Sequence, residues 1–346
     1  MNAISFDHLF LLLIWSSCLL AFVSIWAKIN PGGLYWLVAL TAAGVSGIRN
    51  NVGKDFSIYS SIFQGRAPVS ISEPGFNLLV KTLAGVDESG GAGFLFSSFV
   101  VCAGYAFAIS KLGPRHRLLS LHLFLCLPPF YVSSFNLIRQ HMVIALCMVL
   151  FALYMRGNKS RYLLTIPFMA SVHFSSTIYL FILPFIHSGT LFKIFYRGAV
   201  LFVCFLPPLV WWLEERFVTN SPYAYFLDHS SENSRSLAVA FILLNLGLFM
   251  FLRGFSRGAP AIRRFGFVSL FCAIILLEIW LFSSLANFWF RLGMMYFFPV
   301  LLLLPYALSR LSPPIVGRIL SSTLVLSASL LITLKWIADS SFGFLD

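Results

Sequence analysis

Apolar runs about 20 residues long recur from one end of this chain to the other, and that feature limits its folding most. They lie at 4–27, 33–48, 91–110, 118–135, 138–155, 162–187, 198–213, 237–252, 266–285, 292–309 and 319–337. Most are long enough to cross a hydrocarbon core of about 30 Å as a helix. Only 10% of the 346 residues are charged and 59% are hydrophobic, whereas a soluble domain carries roughly 25% charged residues. The soluble classes are therefore excluded. No train of ten-residue alternating strands is present, which excludes a β-barrel. The expected fold is an all-α polytopic membrane protein with about 11–12 transmembrane segments, forming a single integral membrane domain over 1–346. The first run lacks a basic leader and a small-residue cleavage site, so it reads as a retained helix.

The net charge of +12 does not point to nucleic acid, because the basic residues are scattered among short loops. Lys28, "KLGPRHR" (111–117), "RGNKSR" (156–161), "RGFSRGAPAIRR" (253–264) and "SRLSPPIVGR" (309–318) mark the cytoplasmic side. The six cysteines all fall inside apolar runs and form no CxxC or Cys/His pair. They read as small buried hydrophobes, with neither a disulfide frame nor a metal site.

Counting spans from Lys28, the basic loops stay on one side only if the run 162–187 is broken near His173. The halves "YLLTIPFMASV" and "FSSTIYLFILPFI" are too short to span alone, so a broken or re-entrant pair buried among other helices is expected there. The external loops are then about 49–90 and 214–236, and the carboxylates gather on that side. Acidic residues contribute little to orientation, so their concentration needs another cause, such as an outward-facing site. Within the first external loop, "EPGFNLLVKTL" reads as a short surface helix opened by Pro74, with Phe76, Leu79, Val80 and Leu83 on one face.

Three arginines stand at external helix ends: Arg49, Arg139 and Arg291. In "SSFNLIRQHMVIAL", Asn136 is placed to cap a helix, which puts Arg139 in its first turn. A cation there opposes the helix dipole by about 0.3–1 kcal/mol. A bound anion reverses that sign, whereas pairing with a protein carboxylate or snorkelling to the interface is the simpler reading. Arg49 and Asp55 flank Gly53 and are close enough in sequence to pair with each other. His173 reads equally as a general base, a phosphate ligand or a satisfied polar residue of the turn. Glu278 lies inside a span, where an ionisable group faces the interior and has a role, and it reads equally as a structural partner for an arginine. Tyr59, Asn136, Gln140, Tyr223 and Tyr225 are of the kind that bond or stack on sugars, with surface anchoring as the simpler reading.

Taken in order, "GIRNNVGKDFSIYSSIF", "EPGFNLL", "NLIRQHMVIAL", "ASVHFSSTIYL" and "FRLGMMYFF" resemble the EpsG-like branch of the Wzy-type polysaccharide polymerases. The family pattern falls on Arg49, Gly53, Asp55, Tyr59, Glu73, Gly75, Phe76, Arg139, Gln140, His173 and Arg291. Lys54 departs from it, standing where many relatives have a small polar residue. The resemblance implies a GT-C-like glycosyltransferase of the bacterial inner membrane that joins undecaprenyl-pyrophosphate-linked repeat units on the external face. The products would be O-antigen or exopolysaccharide. No cofactor, nucleotide sugar or metal is implied, and a chain-length regulator is a possible partner. On this resemblance Arg49, Arg139 and Arg291 bind the substrate pyrophosphates. Glu73 or Asp55, with His173 third, takes the proton, and Tyr59 and Gln140 orient sugar or carboxylate. A lipid-linked glycan transporter and a transferase adding one sugar from a polyprenyl phosphate are the competing readings.

Overall fold

The computed structural model describes residues 5–29, 31–68, 73–112, 116–155, 159–173, 242–250 and 297–338, with single positions elsewhere. Among these the chain is helical, with no strand. It is a membrane protein: Phe6–Ala27, Gly91–Leu112 and Pro314–Ala338 are long and apolar enough to span, and shorter apolar helices accompany them. The chain divides into two compact units, Met1–Tyr179 with Leu308–Phe344, and Leu180–Ala307 with Leu345–Asp346.

The first unit begins with α1 (Phe6–Ala27), capped by Ser5, whose side chain accepts the His8 N–H. Asp7 in the first turn complements the positive end of the helix dipole. The chain turns at Lys28, in the left-handed conformation, and returns as α2 (Gly32–Gly47). Two short helices follow, α3 (Phe56–Phe63) and α4 (Pro74–Ala84). Then come α5 (Gly91–Leu112), α6 (Arg117–Cys126), α7 (Ile138–Met155) and α8 (Lys159–Val172). The unit is completed by α10 (Pro314–Ala338). In the second unit the described parts are the stretch 242–250 and most of α9 (Pro299–Ser309).

Helix α5 packs between α2 and α7. Lipid offers no hydrophobic drive for such packing, so close approach through small residues and interhelical hydrogen bonds supplies it. A methyl group on Gly104 would lie 2.9 Å from the Ala145 Cβ, and one on Gly47 would lie 2.9 Å from the Leu95 Cα. The Tyr35 hydroxyl donates to the Ala106 carbonyl at 2.5 Å, and Ser46 and Ser98 bond across α2 and α5 at 2.7 Å. A second polar weld joins α1, α6 and α10. There the buried His122 ring meets Ser17 Oγ at 2.9 Å through Nδ1, and the Val325 carbonyl and Ser329 Oγ, each at 3.2 Å, through Nε2.

The expected span 118–135 is not one helix. α6 ends at Cys126, Leu127 is extended (φ −77°, ψ 125°) and the chain continues through turns to a 3-10 turn at Ser133–Phe135. The cause is the pair Pro128–Pro129. A proline disfavours the helical conformation in the residue before it and supplies no N–H of its own. The hydrophobic pattern runs on unbroken while the backbone breaks. At ten residues, α6 rises about 15 Å. Nearly all of 118–140 is buried in protein, the condition for irregular backbone at membrane depth.

The break expected at His173 is present on its N-terminal side, since α8 ends at Val172 and His173 leaves the helix. The second half of that pair lies outside the described residues. So do Glu278, Arg291, Tyr223, Tyr225 and the loop 214–236. The surface helix expected in the first external loop is α4, with Pro74 in its first turn and Phe76 and Val80 buried.

Candidate active site

At one end of the first unit, three side chains far apart in sequence converge on one carboxylate. Glu73 precedes α4, Arg139 lies in the first turn of α7, and His173 follows α8. The Glu73 side chain is 6% exposed, and its Oε2 accepts a hydrogen bond from Arg139 Nη1 in an ion pair. Its Oε1 lies 2.6 Å from His173 Nδ1. Arg139 and His173 are 28% and 25% exposed, so the two partners face outward while the carboxylate between them is enclosed.

Burial acts to raise the Glu73 pKa. The hydrogen bond from His173 and the Arg139 charge outweigh it and hold the carboxyl below its ordinary range. An ionised carboxylate can only accept, so His173 Nδ1 carries the hydrogen and Nε2 carries the lone pair. Among the described residues, Nε2 has no hydrogen-bond partner. Because the folded pKa is depressed, this carboxylate stabilises the protein fully above its unfolded value near about 4.3. That stabilisation is lost as pH falls through the folded value. The difference in thermal midpoint between wild type and Glu73→Gln should therefore shrink as pH falls below about 4, which a pH series of melting curves in detergent would check.

The carboxylate meets the histidine because α4 lies almost directly on α8. A Cβ on Gly75 would collide with Ser171 Oγ and lie 3.1 Å from Ser171 Cβ. Only a glycine fits that contact, two residues from Glu73 and two from His173. Phe76, fully buried, faces the Arg139 guanidinium with its ring centroid 5.5 Å from Cζ. Tyr59 of α3 accepts from Arg139 Nε at 3.4 Å, with its ring 5.9 Å from Cζ. Two of the three guanidinium nitrogens are thus engaged inside the protein.

Arg49 is placed differently from Arg139. It is 4% exposed, and its Nη1 donates to the Ser46 carbonyl at 2.7 Å, Ser46 Oγ at 3.1 Å and Ser98 Oγ at 3.3 Å. Its Cζ lies 4.8 Å from the Phe94 ring centroid and 5.1 Å from that of Phe135. Burial pushes its pKa down to about 10, which leaves it cationic at neutral pH. It is a buried cation between aromatic faces, joining α2 to α5. The loop after it depends on Gly53, at φ +98°, where a Cβ would lie 2.6 Å from Asn136 Oδ1.

Asp55 is half-buried at the head of α3, and its carbonyl accepts the Tyr59 N–H at 2.9 Å. Gln140 is buried beside Arg139. Asn136 stands too early to cap α7, which starts at Ile138, and its buried Oδ1 has no hydrogen-bond partner among the described residues. The first-turn position expected for Arg139 holds nonetheless. Nothing in the sequence pointed to the Ser46 and Ser98 ligands of Arg49, nor to His141, buried with Nε2 2.7 Å from Ser133 Oγ. An i, i+3 serine before an arginine is too common a pattern to single out. Among the described residues, no three of His, Cys, Asp and Glu gather as metal ligands would.

The arrangement offers an oriented imidazole nitrogen beside a guanidinium, both outward-facing and joined by one carboxylate. It can accept a proton at one point and hold an anion next to it. No curated protein and no solved structure matches the chain. The model of the EpsG family matches residues 33–346, nearly the whole length, and the chain belongs to the EpsG family.

Proposed function

We propose that this protein polymerises polysaccharide by joining undecaprenyl-pyrophosphate-linked repeat units at the external face of the bacterial inner membrane. The observation that carries the reading is the Glu73 carboxylate shared between Arg139 and His173. Membership of the EpsG family suggests an exopolysaccharide polymerase-like role. The site supplies the two things such a reaction needs, a proton acceptor and a cation for the leaving diphosphate.

In the proposed step, a hydroxyl oxygen of the acceptor sugar forms a bond to the anomeric carbon of the donor. The bond from that carbon to the diphosphate oxygen breaks, and undecaprenyl pyrophosphate leaves with the electron pair. The hydroxyl proton passes to His173 Nε2. Glu73 has both oxygens committed and is enclosed, so it acts by holding the imidazole and stabilising its cation. This ordering differs from the one the sequence favoured, in which Glu73 or Asp55 was the base. Arg139 contacts the diphosphate through Nη2, the nitrogen without a protein partner among the described residues. Arg291 is a second candidate for the diphosphates on the resemblance alone. Arg49, enclosed by α2, α5 and Phe135, supports the loop that carries α3.

Arg139→Lys should lose most polymer while the protein inserts at normal levels, because a lysine cannot serve Tyr59, Glu73 and a phosphate oxygen together. Immunoblotting with gel separation of the glycans by length checks it, and near-normal polymer would count heavily against the assignment. Deleting the gene in its host tests the reading as a whole. A polymerase leaves single repeat units on their carrier or final acceptor outside. A transporter leaves complete lipid-linked units on the inner face, and a single-sugar transferase leaves polymer of normal length missing one sugar.

A further inference from the structure

We infer that Tyr59 is a positioning residue that acts through Arg139, setting the plane and the free edge of the guanidinium, and does not itself touch the sugar. The inference rests on the function proposed above and deepens it. Tyr59 has the residue type of a sugar platform, yet it is 5% exposed. Its hydroxyl oxygen accepts from Arg139 Nε at 3.4 Å, and its ring lies 5.9 Å from Cζ. With Phe76 at 5.5 Å and Glu73 on Nη1, the guanidinium is fixed by two rings and two hydrogen bonds. Among the described residues, the Nη2 edge is what remains for a ligand.

Tyr59 can hold Arg139 because Tyr59 is itself held. Its N–H bonds the Asp55 carbonyl at 2.9 Å. Its ring lies 6.0 Å from that of Phe63, which meets Phe94 edge-on at 5.1 Å. Phe63 is pressed against Gly93 so closely that a Cβ there would overlap its ring. A free arginine side chain samples many rotamers, and ordering it on binding weakens the contact. A guanidinium ordered beforehand avoids that loss, and misplacement of a catalytic contact by about 1 Å costs about a hundredfold in rate.

A double-mutant cycle tests this in protein reconstituted in nanodiscs with lipid-linked repeat units. Tyr59→Phe keeps the ring and removes the acceptor, and should lower kcat/KM about fivefold, the worth of one ordinary hydrogen bond. Tyr59→Leu removes both and should lower it by about fiftyfold or more. In an Arg139→Lys background, Tyr59→Phe should change kcat/KM by less than about twofold, because its route to the substrate is gone. The affinity for undecaprenyl pyrophosphate, measured over the same four proteins, gives the same cycle where turnover is too slow to score.

A Tyr59→Phe effect that persists in full beside Arg139→Lys means direct sugar contact and overturns the inference. So does loss of thermal stability with unchanged activity per folded molecule, which means a structural role only. If wild type binds the diphosphate with a coupled cycle but forms no polymer, the polymerase reading fails and the coupling stands. If it polymerises with an additive cycle, only the role of Tyr59 fails. Wild-type protein that neither binds nor polymerises overturns both.

Discussion

Glu73→Gln should lower polymer formation by about 10³- to 10⁴-fold, the scale seen when the carboxylate orienting a catalytic histidine is neutralised elsewhere. The amide nearly matches the carboxylate in size, so the loss is chemical. Glu73 accepts two hydrogen bonds, from Arg139 on Oε2 and from His173 on Oε1. An amide has one oxygen. Placed toward Arg139, it turns its NH₂ on His173 Nδ1, which must then give up its hydrogen, and the proton moves to Nε2. That is the wrong tautomer for a base. Placed toward His173, it sets NH₂ against a guanidinium and leaves a partly buried cation unpaired. Turnover in nanodiscs, normalised to folded protein, measures the effect. Retention of more than about a tenth of wild-type turnover would remove His173 and Glu73 from the proton path.

Gly75→Ala should cost about a hundredfold in rate without touching any group that meets substrate. The added methyl collides with Ser171, so α4 must withdraw from α8 and take Glu73 away from His173. Overpacking of this kind destabilises by about 1–3 kcal/mol, so the protein should still insert and fold. The second change Ser171→Gly removes the Oγ and Cβ that the methyl meets. The backbone carbon of residue 171 at 3.2 Å stays in place, so partial recovery is expected. Melting curves of purified protein alongside turnover separate loss of fold from loss of geometry. An active Gly75→Ala protein would show that the contact between α4 and α8 does not set the site.

Much of this was legible in the sequence. The apolar runs mark α1, α2, α5, α7 and α10 to within a few residues, because length and hydropathy alone decide what crosses a membrane. Parity of the basic loops located the break before His173, which no local pattern reveals. The run 118–135 misled because hydropathy is blind to Pro128–Pro129, whose effect is on backbone angles. The individual site residues were visible as polar groups at helix ends. Their pairing was not, since 66 and 100 residues separate Glu73 from Arg139 and His173. Arg49 shows the same limit. At helix ends in the sequence it and Arg139 look alike. Only the folded positions of Phe94, Phe135 and Ser98 enclose one, while the other keeps an outward edge.

The ten-residue α6 also bears on how the protein is made. A helix of about 15 Å cannot hold a place in a bilayer of about 30 Å by itself, and the turns that follow it expose peptide groups that lipid cannot satisfy. In the folded protein α1, α2, α5 and α10 all pack against this segment and enclose it. α10 lies far along the chain from α6, so part of the enclosure of this half-length element comes from a helix made much later. The turns after α6 lead directly into Arg139. A chain that stops before α10 therefore carries Glu73, Arg139 and His173 yet lacks one of the helices that pack around the segment leading into Arg139.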